Sequence, residues 1–235
     1  MSALCLEPVE RSDHESQATH NSYEPTPHMT GPEKRQRSPR GLGPASSSVV
    51  VVDAPNLRET IARVAQDHSW PAGKGSELDL TSFIDFKQLG LDLRERLATE
   101  CLYWIDTPDS GDKRPEWQLA RRGGWQVRLP SRRGQNPESG FIQYTIARAH
   151  GDALRGSETS ICLVSHSNRY ATPLAQFSQA GGRLYLTGFL GCFGSELYEL
   201  SDTGAELIDI QLDCRAATAV WRQMTTFAAN PMATN

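Results

Sequence analysis

An aspartate and an asparagine follow the most apolar run of the sequence. The run Val49–Val52 ends at Asp53, and Asn56 lies three residues further on. Carboxylate and amide oxygens are ligands that hard divalent cations prefer. An aspartate placed immediately before a helix is also a common N-cap. Asp53 is therefore expected either to hold a metal ion or to cap the helix that follows it.

A second polar cluster, Ser165 to Asn168, follows the apolar run Ile161–Val164. His166 lies between two serines, and no cysteine or acid at ligand spacing supports a zinc site, so we expect a structural or solvent-facing histidine. Ser165 has no G-x-S-x-G sequence around it, which argues against a serine hydrolase. We therefore expect Ser165, Ser167 and Asn168 to bind a ligand through their hydroxyl and amide groups.

The charge between residues 113 and 133 is almost entirely positive. This stretch contains one acid, Glu116, and two tryptophans, Trp117 and Trp125. Its seven basic residues are Lys113, Arg114, Arg121, Arg122, Arg128, Arg132 and Arg133. Arginines bind phosphate through paired hydrogen bonds, and exposed aromatic rings stack on bases. A solvated helix face with two core tryptophans would have the same composition. Both interpretations remain open at this level.

The elements that must position these residues alternate between strand and helix. Apolar runs predict strands at 49–52, 101–106, 125–129, 161–164, 183–187 and 207–210. Helical patterns lie at 56–66, from 85 onward with Asp85 as the expected N-cap, and at 115–122, 141–153, 172–180 and 195–200. This alternation predicts an α/β fold with a doubly wound, mostly parallel sheet between two layers of helices, as in Rossmann-like three-layer sandwiches. The strands' carboxyl ends, where Asp53, Arg132, Arg133 and Ser165 lie, should form the ligand-binding edge.

The composition divides the chain into three parts. Residues 1–47 are rich in Ser, Pro, Glu and Arg with almost no apolar periodicity, which predicts a disordered tail. Residues 48–213 carry the alternating pattern and form the predicted domain. Residues 214–235 are expected to form a C-terminal helix, from about Ala216 to Phe227, and a loose end.

The remaining global features favour a cytoplasmic protein without a membrane partner. No stretch reaches the roughly 20 apolar residues of a membrane span, and the acidic N-terminus does not have the pattern of a signal peptide. The five cysteines are scattered, which suits a reducing compartment. The net charge of −4 excludes a uniformly basic molecule that binds polyanions over its whole surface.

Three segments resemble the NYN domain family of PIN-like nucleases, which includes LabA-like proteins. VVVVDAPNL is similar to the family's opening strand with its aspartate and asparagine. The family's second characteristic segment, a buried strand followed by a helix, a glycine turn and another strand, is similar to ICLVSHSNRYATPLAQFSQAGGRLYL. Its ending, a Leu-rich helix that leads to a short last strand, is similar to ELYELSDTGAELIDI. The resemblance covers residues 48–212 and implies a PIN-like fold.

The resemblance implies RNA cleavage assisted by Mg²⁺ or Mn²⁺, held by aspartates at the strand ends. Asp53 and Asn56 match the first acid and asparagine, and Glu138 lies near the family's helical acid. Ser167 and Arg169 stand where the family has aspartates, and Tyr170 stands where it has phenylalanine. The candidate catalytic residues are thus Asp53, Asn56 and Glu138, with Asp53 as metal ligand only if the site is active. Too few acids remain for the sequence to favour an enzyme. We expect no cofactor, except Mg²⁺ or Mn²⁺ if the protein is an active ribonuclease.

We therefore expect a regulatory protein that binds or processes single-stranded RNA, with an eroded ribonuclease site. The candidate RNA contacts are Arg128, Arg132, Arg133, Ser165, Ser167 and Asn168. One alternative is an active Mg²⁺- or Mn²⁺-dependent ribonuclease that recruits Asp53, Glu138 and Asp106. Another is a protein-interaction module in which the arginine-rich stretch meets an acidic partner.

Overall fold

Six parallel strands form one sheet in the order β3-β2-β1-β4-β5-β6. The computed structural model describes residues 47–67, 80–108, 114–130, 137–219 and 221. The strands are β1 (Ser47–Asp53), β2 (Cys101–Ile105), β3 (Gln126–Arg128), β4 (Thr159–Val164), β5 (Arg183–Gly188) and β6 (Glu206–Asp209). Every strand pairing is parallel, so the predicted α/β fold with a mostly parallel sheet is confirmed.

The central strand β1 is buried on both faces. Val50 and Val52 pack into the core on one side of the sheet, and Val51 packs into the core on the other side. Successive side chains of a strand point to opposite faces, so an uninterrupted run of valines suits a strand covered from both sides.

Helices cover both faces of the sheet. Buried side chains of α1 (Ala54–Asp67), α2 (Phe86–Leu97) and α3 (Pro115–Arg122) share one core with Val50 and Val52. Those of α4 (Pro137–Leu154), α5 (Ala171–Gln179) and α6 (Ser195–Tyr198) share the other core with Val51. Asp85 caps α2 by accepting hydrogen bonds from two backbone N–H groups, as its position before the helical pattern predicted.

The order of the strands reverses direction between β1 and β4. The chain runs outward from β1 to β3, returns to place β4 on the other side of β1, and continues outward to β6. In open parallel sheets, the loops that leave the two strands at such a reversal diverge and leave a crevice at their carboxyl ends. Asp53 and Ser165 lie at this position.

The tryptophans of the arginine-rich stretch belong to the core. Trp117 and Trp125 are both buried, and their indole N–H groups bond to Asp106 Oδ2 at 2.7 Å and to the Phe86 carbonyl at 2.8 Å. The hypothesis that they are exposed stacking surfaces is therefore wrong. A tryptophan whose N–H finds an internal acceptor is stable in a core.

The residues that follow β6 also pack against the domain. Cys214, Ala216 and Trp221 are buried in the core of α1–α3, and Ala217 forms an isolated antiparallel bridge with Ile84. The predicted tail covers 1–47, but Ser47 already belongs to β1. Residues 1–46, Arg132, Arg133 and most of the predicted C-terminal helix lie outside the described residues. Among the helices of the described ranges, none combines the length and hydropathy that a membrane crossing requires.

Candidate functional site

The ends of β1 and β4 bring Asp53 and Ser165 side by side. Val52 pairs with Val164 in the parallel register, so the next residue of each strand, Asp53 and Ser165, lies at the carboxyl edge. Both side chains are buried, with Asp53 only 2% exposed. The sequence prediction that these two strand ends converge is therefore confirmed.

Three protein donors bind the carboxylate of Asp53. The Tyr170 hydroxyl donates to Oδ2 at 2.9 Å, the Ser165 hydroxyl donates to Oδ2 at 3.3 Å, and the Asn56 backbone N–H donates to Oδ1 at 3.3 Å. The last bond is an N-cap of α1, which was one of the two expected roles of Asp53.

Burial raises the pKa of the Asp53 carboxyl above its ordinary value. Desolvation is the largest cause, since a low-dielectric surrounding disfavours the charged form. The hydrogen bonds from Tyr170, Asn56 and Ser165 and the positive charge of Arg169 act in the opposite direction. Asp53 is therefore an acid whose charge is held by internal donors and one nearby arginine.

Asn56 joins the first turn of α1 to the loop after β4. Its Oδ1 accepts a hydrogen bond from the His166 backbone N–H at 2.7 Å, and it shares the single hydrogen of the Ser165 hydroxyl, 3.0 Å away, with Asp53. The Ser165 hydroxyl also accepts a hydrogen bond from the Ser167 backbone N–H at 3.3 Å. Ser165 is fully buried, so this hydroxyl serves the interior and offers no surface for an RNA contact.

His166 fixes the loop after β5. Its Nε2 accepts a hydrogen bond from the Phe189 N–H at 2.9 Å, and its ring stacks on Phe189 at 5.7 Å between centroids. A side chain at Gly188 would overlap Nε2. Burial lowers the pKa of His166 to about 3, and the charge of Arg63 contributes in the same direction. The expectation of a structural histidine is confirmed.

Asn168 also holds this loop in place. Its Oδ1 accepts a hydrogen bond from the Leu197 N–H at 3.3 Å, at the start of α6. A side chain at Gly194 would overlap Oδ1, so a glycine at that position lets the two loops approach. Asn168 is half-buried, and the oxygen that could have bound a ligand already has a protein donor.

Ser167 and Arg169 form the solvent-facing part of the site. Arg169 is exposed, Ser167 is half-buried, and the Arg169 Nε–H donates to the Ser167 hydroxyl oxygen at 3.0 Å. The sequence resemblance aligns these two residues with aspartates of NYN domains. The edge next to Asp53 therefore carries a cation and a hydroxyl.

A chain of hydroxyl contacts connects Asp53 to the first turn of α4. Ser139 donates a hydrogen bond to the Tyr170 oxygen, and Tyr170 donates to Asp53. Glu138 precedes Ser139 and is 7% exposed, and its Oε2 has no hydrogen-bond partner among the described residues. The predicted candidate Glu138 is therefore the sequence neighbour of Ser139, the outermost residue of these hydroxyl contacts.

Asp106, the additional acid of the ribonuclease alternative, is already neutralised. Its Oδ2 accepts hydrogen bonds from Arg58 at 2.8 Å and from Trp117, and its Oδ1 accepts one from the Thr107 N–H. Arg58 also pairs with the buried Glu116 at 2.7 Å. This network ties α1 to β2 and α3 and leaves Asp106 committed to structure.

Arg128 lies apart from these contacts. It is the last residue of β3, and its guanidinium lies 5.8 Å from the centre of the Tyr103 ring while donating to Gln126 at 3.0 Å. Arg132 and Arg133 lie outside the described residues, so their position at the ligand edge stays a prediction.

Five of the predicted site residues lie together in the structure. Asp53, Asn56, Ser165, Ser167 and Asn168 come together around the ends of β1 and β4. Within the described ranges, no three His, Cys, Asp or Glu side chains gather in an arrangement that could hold a metal ion. Tyr170 and Ser139 also belong to this site and were not predicted, because a hydroxyl in a helical segment gives no sequence signal of its partner.

Comparisons with known proteins identify no family for this chain. No protein-family model matches the sequence, and no curated protein matches it. Among solved structures, the chain is similar to a protein of unknown function from Vibrio parahaemolyticus. The sequence identity is 14% and the TM-score is 0.48, over 76% of this chain and 99% of the other chain.

Proposed function

We propose that this protein binds single-stranded RNA at the carboxyl edge of its sheet, where β1 and β4 end, and holds it without cleaving it. Such binding would make it a regulatory protein. The crevice at the reversal of strand order is the usual ligand position in open parallel sheets. Most polar side chains around Asp53 are buried, but Arg169 is exposed at this edge, and its cation suits a phosphate.

The single observation that supports the absence of cleavage is the engagement of both Asp53 carboxylate oxygens by protein donors. Mg²⁺ takes oxygen ligands in near-ideal octahedral geometry and gives up its water reluctantly. At Asp53, a metal ion would have to compete with the hydrogen bonds from Tyr170, Ser165 and Asn56. It would also approach a carboxyl whose raised pKa reflects a costly negative charge. These residues fit a capped structural acid better than they fit a metal ligand.

The charge at the edge favours a polyanion. Arg169 is exposed beside Asp53 and is oriented by Ser167, while Asp53 itself is buried. The exposed part of this site is therefore positive although the protein's net charge is −4. Arg132 and Arg133, which the sequence places after β3, would extend the same positive edge.

The test is the binding of labelled single-stranded RNA, measured with and without Mn²⁺. Arg169→Gln and the double change Arg132→Gln/Arg133→Gln should each weaken binding across sequences, and the log–log salt slope should fall by about 0.7 for each lost phosphate contact. Arg183→Gln alters an exposed arginine at the start of β5, at the opposite edge, and should leave binding unchanged. Full binding by both edge variants would contradict the proposal.

A second candidate function, metal-dependent RNA cleavage, is favoured by one observation at Glu138. The buried, unpartnered Oε2 of Glu138 is an unusual feature, since buried polar atoms normally have partners. Together with Asp53, this carboxylate would hold a cation that polarises a phosphodiester. Cleavage of RNA that requires Mn²⁺ and disappears in both Asp53→Asn and Glu138→Gln would establish this function in place of binding alone.

A further inference from the structure

A cleft of about 220 Å³ lies between α4 and the beginnings of β1, β2 and β4. Three aromatic side chains line it: Tyr103 from β2, and Phe141 and Tyr144 from α4. None of the side chains that contact Asp53 belongs to its lining. The cleft is therefore separate from the site at the ends of β1 and β4.

The aromatic residues of the cleft divide into a floor and an exposed ring. Tyr103 and Phe141 are half-buried and meet edge to face, with 6.0 Å between their ring centroids. Tyr144 lies one turn further along α4 and is 65% exposed. An exposed aromatic ring beside an aromatic floor offers a flat planar ligand a surface on which to stack.

The charged side chains of the cleft make its rim positive. Arg148 lies one turn beyond Tyr144 and is exposed, and among the described residues no acid pairs with it. Asp152 also lines the cleft, but its carboxylate pairs with Arg155. The guanidinium of Arg128 lies over the Tyr103 ring, where its positive charge faces the ring's electrons.

We propose that this cleft binds an unpaired base of single-stranded RNA, with Tyr144 stacking on the base and Arg148 and Arg128 contacting the adjacent phosphates. Sequence-tolerant binding of single strands uses this combination of aromatic rings and arginines. The inference rests on the proposed function and adds to it a second contact surface on the α4 face. Arg128 links the two surfaces, because it ends β3 at the carboxyl edge and its side chain lies back over Tyr103.

Fluorescence anisotropy of the full chain with a labelled oligouridine of about twelve nucleotides tests this assignment, since single-strand sites span roughly 4 to 16 nucleotides. Tyr144→Ala should weaken binding about ten-fold, while Tyr144→Phe, which keeps the ring, should bind like the wild type. Tyr198→Ala is the matched control, because Tyr198 lies on α6 and is 54% exposed. Arg148→Gln should lower the salt slope by about 0.7.

The outcomes separate this cleft from the edge site. Wild-type affinity in Tyr144→Ala, with loss in Arg169→Gln, would overturn the cleft and leave the proposed function standing. Loss in Tyr144→Ala with full binding by both edge variants would support the cleft and contradict the edge site. An equal loss in Tyr198→Ala would overturn the stacking assignment, and absence of RNA binding by the wild type would overturn both proposals.

Discussion

The hydroxyl of Tyr170 donates a 2.9 Å hydrogen bond to Oδ2 of Asp53, deep in the interior of the protein. Ser139 donates in turn to the Tyr170 oxygen. This arrangement leaves Asp53 satisfied by the protein itself and connects β1, α4 and the segment that leads into α5. The predictions below start from this contact.

Replacing Tyr170 with phenylalanine should destabilise the protein although it removes one atom. The change leaves a buried carboxylate with one donor fewer, which costs about 1 to 3 kcal/mol. The variant's midpoint in urea should fall at unchanged slope, and the pKa of Asp53 should rise further. Tyr144→Phe is the matched control, since that hydroxyl is exposed and its removal should leave the midpoint unchanged.

Stability should depend on the neutral state of His166. The unfolded side chain has an ordinary pKa of 6.5, whereas burial lowers the folded pKa to about 3. Between these values the unfolded state binds more protons, so stability is complete above pH 6.5 and is lost toward pH 3. The slope contributed by this one group is at most about 1.4 kcal/mol per pH unit.

The variant His166→Gln isolates this contribution. Glutamine can accept the Phe189 N–H hydrogen bond but carries no proton that titrates in this range. Urea unfolding at several pH values should therefore give the variant a shallower loss of stability between pH 6.5 and pH 3 than the wild type has. Parallel curves for the two proteins would contradict the assignment. Asp53 has a raised pKa, so its contribution to the pH dependence of stability has the opposite sign. This contribution is the same in the wild type and the variant and cancels when the two curves are compared.

Replacement of Arg58, a half-buried side chain, should strongly destabilise the protein. It pairs with the buried Asp106 at 2.8 Å and with the buried Glu116 at 2.7 Å. Arg58→Met leaves both carboxylates without their cation, and removing one side of a buried pair costs roughly 3 to 5 kcal/mol. The triple change Arg58→Met/Asp106→Asn/Glu116→Gln should recover much of this loss in thermal unfolding. Failure to recover would mean that Arg58 acts through its packing alone.

Manganese should leave the melting temperature unchanged. A ligand stabilises the folded state only when its concentration exceeds its dissociation constant. If protein donors keep Asp53 occupied, millimolar Mn²⁺ should shift neither the wild type nor Asp53→Asn in differential scanning fluorimetry. A rise that is present in the wild type and absent from Asp53→Asn would contradict this and would favour the ribonuclease alternative.

The sequence predicts the architecture well because local patterns determine it. The helix predicted at 115–122 is α3 with the same bounds, and the predicted cap Asp85 accepts two backbone bonds at the start of α2. Both rest on signals that lie within a few residues: a proline in the first turn, and an aspartate before an apolar period. The convergence of Asp53 with Ser165 follows from the topology of a parallel sheet.

The partners within the site could not be predicted from local patterns. Tyr170 bonds to Asp53 across 117 positions of the chain, and Arg58 reaches Asp106 across 48. The choice between an exposed and a buried tryptophan at position 117 depended on whether its N–H would find an acceptor. Such pairings are decided by tertiary packing. The roles of Arg169 and Glu138 stay predictions, and so does the resemblance to NYN domains.

The central position of β1 has a consequence for how the protein matures. β1 must pair with β4, and Ser47 and Thr159 are 112 positions apart. During synthesis, the valines of β1 emerge long before the strand that covers one of their edges. Until then they present an apolar, unpaired edge of the kind that promotes aggregation. Because Ser165 and Tyr170 follow β4, the hydrogen bonds around Asp53 form only when this late pairing is complete.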